Sequence, residues 1–179
     1  MHGLIFTGLR RFTWTSFPDE AQGIWDGLPA YVQDETYPDE EFDAALDRIA
    51  ATTRRARPEL LHEFGRFTAF WTFRALRREY YERTRGTLDF LLNVESRIHE
   101  EIRATTDGAK PPRLRVTPLG DDGVTIAYTS ERGLCQMLAG LVAGVADYYG
   151  ERFEIAQPLC MHRGDAACSF VVTPASKTA

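Results

Sequence analysis

Gly108-Ala109-Lys110-Pro111-Pro112, followed by Arg113-Leu114-Arg115-Val116-Thr117-Pro118 and then Val124-Thr125-Ile126-Ala127-Tyr128-Thr129-Ser130, is where the chain changes texture. Two adjacent prolines remove two backbone donors and push the residue before them out of the helical region, so no helix runs through this point. Residues 113–118 alternate in the manner of a strand, Asp121-Asp122-Gly123 reads as a hairpin turn, and Val124 to Ser130 reads as a second strand. Upstream the pattern is helical. His2 to Trp14 has apolar residues at positions 4, 5, 8, 9 and 12, and Asp19 to Leu28 reads as a short helix stopped by Leu28-Pro29. Asp39-Glu40-Glu41 predicts a helix start, with Asp39 as cap and Phe42, Leu46 and Ile49 following at helical spacing. Pro58 opens a helix carrying Leu60, Leu61, Phe64, Phe67 and Phe70, and another runs from Thr87 to Thr105. Downstream, Gly133 to Tyr149 is a helix with Gly150 as its C-cap, and Phe153 to Pro158 and Ser169 to Val172 supply further strands.

The expected architecture is α+β: a helical N-terminal subdomain and a C-terminal antiparallel sheet carrying one long helix. Residues 1–179 make one domain, divided into a helical part (1–65), further helices with the sheet (66–173) and a flexible tail (174–179). The net charge of −5 leaves no basic surplus to neutralise phosphates, which argues against nucleic acid as a partner. The basic stretch Arg74 to Arg85 is interleaved with acids and reads as a solvated helix face. No apolar run approaches the roughly 20 residues of a membrane span, and Met1 to Phe12 does not have the form of a signal peptide. A cytoplasmic protein without membrane partners is expected. Three cysteines, an odd number, suggest a metal site or buried thiols before a disulfide framework.

Two groups of residues carry chemistry. On a helical wheel Leu88, Leu91, Leu92, Ile98, His99 and Ile102 fall in one arc, with His99 near its middle. A histidine there either hydrogen-bonds a neighbour, for which Glu95 is placed one turn earlier, or binds something. Alternation puts Tyr128, Ser130 and Arg132 on one face at a strand end, a row suited to carboxylates. Taken alone, it reads first as the polar outer face of an amphipathic strand.

The whole chain resembles the heme-nitric oxide/oxygen-binding (H-NOX) family, in its NO-selective bacterial stand-alone form. Met1-His2-Gly3-Leu4-Ile5-Phe6 is similar to that family's opening, and Tyr37-Pro38-Asp39-Glu40-Glu41 and Phe64-Gly65-Arg66-Phe67 match its helical segments. The thirteen residues from His99 to Pro112 match its ligand-to-proline spacing, and Tyr128, Ser130 and Arg132 its Y-x-S-x-R signature. The resemblance implies heme b held between the two parts, with His99 on the iron, Tyr128, Ser130 and Arg132 on the propionates, and Pro112 pressing on the porphyrin. It places Ile5, Leu9, Met137 and Leu141 on the distal side, Thr68 being a minor polar exception. Where oxygen-holding members carry a tyrosine this chain has Met137, which cannot donate a hydrogen bond, so NO (and CO) binding is expected without stable O2 binding. Gly140 and Gly144 let their helix lie close either to the porphyrin or to another helix.

Cys135, Cys160, His162 and Cys168 form the ligand set of a structural zinc site, which a subset of bacterial relatives carries; accidental neighbouring thiols are the alternative. No nucleophile motif or phosphate loop suggests an enzyme. A stand-alone sensor then signals to a separate protein, and the resemblance implies a sensor histidine kinase or a cyclic-di-GMP enzyme. The alternative of a different class is a heme-free, zinc-containing protein-interaction module of the same fold.

Overall fold

The computed structural model describes residues 1–73, 78–120 and 122–175. Helix α1 (Gly3–Ser16) is capped by His2, whose Nδ1 accepts from the Leu4 N–H at 3.4 Å. Helix α2 (Pro18–Trp25) starts on a proline, with Asp19 and Glu20 at the positive end of its dipole. Helix α3 (Asp39–Thr53) follows, ending where Arg54 turns left-handed at φ 55°. The Asp39 side chain does not cap it; Pro38 occupies the cap position, and the Asp39 carboxylate is drawn to Arg132 instead. Helix α4 (Arg57–Phe67) runs on into a π-helical segment, Thr68–Phe73. It spans residues 65 and 66, so a helix joins the two parts.

After α5 (Arg78–Glu82) the chain forms a rod of three segments: α6 (Thr87–Asn93), a π-helical turn (Val94–His99) and α7 (Glu100–Thr105). Residues 74–77 of the basic stretch lie outside the described residues; within its described part Arg78 pairs with Glu82 across an exposed turn. Strands β1 (Arg113–Leu119) and β2 (Gly123–Thr129) form the hairpin, whose Asp121 lies outside the described residues. Helix α8 (Cys135–Tyr149) starts two residues later than its glycine suggests and ends on Gly150 at φ 68°. Strands β3 (Phe153–Leu159) and β4 (Cys168–Pro174) complete an antiparallel sheet in the order β1-β2-β4-β3. Pro174 is paired with Phe153, so the expected tail does not start there; residues 176–179 lie outside the described residues.

The N-terminal core is a cluster of rings and aliphatics from α1 to α4, with Phe6, Leu9, Phe42, Leu46, Ile49 and Phe64 at 0–1% exposure. Helix α8 joins the two halves by lying against α4 with backbones nearly touching. A Cβ on Gly140 would overlap the His62 carbonyl oxygen, and one on Gly144 that of Arg66. These two glycines therefore serve helix packing. Arg66 and Asp147 clamp the same pair, with Nη2 donating to Oδ1 at 2.8 Å.

Candidate functional site

Beyond the α4–α8 contact the layers stand apart. A cavity of about 260 Å³ lies between the 87–105 rod, α8, the start of α1 and the inner face of β1 and β2. The rod contributes Leu91, Val94, Ile98, His99 and Ile102, and α8 contributes Met137, Leu138, Leu141, Val142 and Val145. This apolar face differs from the expected one: Val94 is on the wall and Leu92 is 40% exposed. A π-helical turn holds one more residue per hydrogen-bonded ring than an α turn, so a constant angle per residue misplaces side chains across it.

His99 is the last residue of that turn, with 14% of its side chain exposed. Its Nδ1 is 3.0 Å from Glu95 Oε2. Burial pushes its pKa below the ordinary histidine value, against the Glu95 hydrogen bond and charge that pull it up. A neutral imidazole is the form that binds a metal. Glu95 also accepts from Arg103 through Oε1 and from the Leu114 N–H at 3.1 Å. Partial burial works to raise its carboxyl, yet the bonds from Arg103, His99 and Leu114 together carry it below the ordinary range.

The mouth of the cavity is polar. Met1, His2, Lys110, Pro112, Ser130 and Arg132 surround it. Arg132 is held by Asp39, with Nε donating to Oδ2 at 2.7 Å, and by the Lys110 carbonyl at 2.6 Å. The other oxygen of Asp39 takes the Met1 amino group at 2.6 Å. Tyr128 is buried, and its hydroxyl accepts from the Leu134 N–H at 3.1 Å, stitching the end of β2 to the start of α8. Opposite the rod the wall carries Ile5, Met137 and Leu141. Leu9 is not on it; it faces the N-terminal core with no exposed surface. Thr68 is buried with its hydroxyl unpartnered and is also off the wall.

A second cluster lies behind α8. The Sγ atoms of Cys135, Cys160 and Cys168 are within 4.8 Å of one another and all three residues are buried. Cys135 and Cys160 are 3.9 Å apart, and the Met161 N–H points at Cys168 Sγ from 3.3 Å. His162 is outside this group: its Nε2 lies 2.6 Å from the Gly133 carbonyl oxygen.

Residues 13–157 match the profile of the family described as HNOB, Haem-NO-binding. The chain belongs to that family. H-NOX proteins of known structure share its fold. An S. oneidensis H-NOX protein in the Fe(II)NO state superposes with a TM-score of 0.90 at 19% identity, over 98% of this chain and 100% of that one. The unliganded Fe(II) H-NOX protein from K. algicida gives 0.87 at 20% identity, over 100% and 99%. In Drosophila melanogaster, soluble guanylate cyclase 89Db is 32% identical over 117 residues, which is 64% of this chain and 17% of that protein. Soluble guanylate cyclase 89Da is 29% identical over the same extent. The chain thus spans about a sixth of the length of these relatives.

Within this H-NOX chain, two features of the site escape a sequence reading. Asp39, a helix-start residue by pattern, is the partner of Arg132 across 93 positions. Tyr81, whose hydroxyl donates to the Ala69 carbonyl at 2.8 Å, lines the cavity from a short helix that no periodicity marks. Neither carries a local signal, since both act through long-range contacts.

Proposed function

We propose that this chain is a heme-based gas sensor that binds NO, and also CO, at a ferrous heme b held by His99, and signals to a separate protein. The observation that carries this is one apolar cavity whose lining includes His99, its pKa lowered by burial, together with Ser130 and Arg132. A porphyrin asks for that donor set: an imidazole for iron, an apolar slot for the ring, and donors at the rim for two carboxylates. The family binds heme. When bound, heme supplies the iron on which a diatomic gas is taken up. The protein's own part is to orient His99, to exclude water, and to hold carboxylates with Ser130 and Arg132, while Tyr128 braces the turn that presents them. Pro112, which also lines the cavity, would bear on the ring.

Ile5, Met137 and Leu141 would offer a bound gas no side-chain hydrogen-bond donor, which would favour NO over O2. With heme bound, His99 would tie the iron to the rod, and a change in that tie would let the rod shift against the sheet, a two-state change for a partner to read. That partner is a sensor histidine kinase or a cyclic-di-GMP enzyme; cyclase activity belongs to the long fly relatives. No helix among the described residues is long and apolar enough to cross a membrane, consistent with a cytoplasmic sensor. The three thiols are proposed to hold a structural zinc, and His162 completes the set only if its ring leaves the Gly133 carbonyl.

The test is a set of ferrous spectra of heme-loaded protein under argon, air, CO and NO. A Soret band unchanged in air and moved by NO and CO is the expected result. A stable oxy spectrum contradicts NO selectivity. No heme uptake moves the function to the zinc-holding interaction module. Elemental analysis of the purified protein, expected at one zinc per chain, tests the thiol site.

A further inference from the structure

One carboxylate joins the histidine of the rod to the first strand of the sheet. Glu95 Oε2 meets His99 Nδ1 at 3.0 Å and the Leu114 N–H at 3.1 Å, and Oε1 takes Arg103. An ionised carboxylate only accepts hydrogen bonds, so Glu95 favours the ring proton on Nδ1, while the Pro112 carbonyl is a second acceptor facing the ring. Leu114 stands opposite Tyr128 in the β1–β2 register, so the same oxygen that meets the ring also meets the strand beside the mouth residues. Glu95 is one-quarter exposed, and Arg103 on its far side holds the carboxylate in place.

We propose that Glu95 is a positioning residue for His99, fixing its tautomer, strengthening the bond it makes to iron and handing any movement of the ring to β1 at Leu114. This rests on the heme reading above. A carboxylate on the non-ligating nitrogen of a metal-bound histidine raises the basicity of the other nitrogen and fixes the ring's angle. Here the carboxylate is also bonded to a strand of the sheet. When His99 moves, Oε2 loses one of its two donors and the tie to Leu114 changes with it. The rod and the sheet are thereby coupled at one atom.

The test uses the whole chain with and without heme. In the heme-free protein, long-range nitrogen–proton correlation of the imidazoles reads each ring's tautomer. His99 is expected as the Nδ1–H form, and in Glu95→Ala as the Nε2–H form that free imidazoles prefer. In the heme-loaded ferrous protein under argon, resonance Raman reads the iron–histidine stretch. Glu95→Gln keeps the side chain's shape while removing its charge. It is expected to lower that stretch and to speed heme loss by about 10–100-fold, with the backbone amide spectrum preserved. A wild-type His99 in the Nε2–H form overturns the proposal, and so does an unchanged stretch in Glu95→Gln. A heme-loaded wild type with no iron–histidine band overturns the heme reading instead.

Discussion

The N-terminal core and the cavity beside the sheet are built from similar residues and finish differently. In the core, rings meet rings: Phe6 and Phe42 centroids are 5.9 Å apart, and Phe12 and Phe64 are 5.8 Å apart. Phe6, Leu9, Leu46, Ile49 and Phe64 have no exposed surface there. On the other side Tyr81 and Phe90 also pack at 4.8 Å, but Ile98, His99 and Leu141 look onto open space. Apolar side chains facing a void forgo dispersion contacts, and protein interiors rarely leave such gaps. The first region is complete as polypeptide. The second encloses a cavity, and His99, its pKa lowered by burial, shares the lining with Tyr80, Tyr81 and Tyr128.

The largest expected effect breaks or supports that contrast directly. Phe64→Ala should cost about 3–5 kcal/mol in chemical denaturation. Ile98→Ala, on the cavity wall, should cost less than about 2 kcal/mol in the heme-free protein, because part of its surface already lacks partners. Equal losses would mean the two regions are equally packed. Next, free heme at roughly 100 times its Kd should stabilise the protein by about 2.7 kcal/mol, seen as a rise in Tm. A Tm unmoved by heme would deny that the cavity is its place. Third, Gly140→Ala should destabilise by about 1–3 kcal/mol with or without heme, since the added methyl drives into α4. A heme-dependent loss would place that glycine at the cofactor instead.

The smallest effect concerns the mouth. Partial burial works to raise the Asp39 carboxyl, but the Met1 amino group and Arg132 outweigh it and hold the group below the usual aspartate value. A folded pKa below the unfolded one means that the stabilisation is fully present above about pH 4 and is lost as pH falls through the folded value. Asp39→Asn should therefore be slightly less stable than wild type at pH 7, with a deficit that shrinks as the pH is lowered towards 2. Denaturation curves at the two pH values check this; the same deficit at both would remove the ion pair as its cause.

Much of the fold was legible in sequence because its signals are local. Pro111-Pro112 marks the switch from helices to sheet, Gly150 ends α8 in the left-handed conformation, and Phe42, Leu46 and Ile49 are buried as their spacing requires. The parts that were not legible depend on contacts between distant residues or on departures from regular geometry. Leu9 shares α1 with Ile5 yet turns to the core, and only the placement of α2 to α4 decides which face it takes. Leu92 fell outside the cavity because a π-helical turn adjoins it, and no residue pattern announces such a turn. Gly140 and Gly144 could be read as making room, but not for what. The three cysteines were brought together as their types suggested, while the short 3-10 turn Met161–Arg163 sets the His162 ring on Gly133.

The most direct test of the account is a titration of ferrous heme into wild-type and His99→Gly protein under argon, followed by absorbance. The account predicts uptake of one heme per chain with a five-coordinate, histidine-ligated spectrum in the wild type. In His99→Gly it predicts loss of that spectrum and its return when free imidazole is added. The same spectrum from both proteins would contradict it, because the iron would then be held by something other than His99.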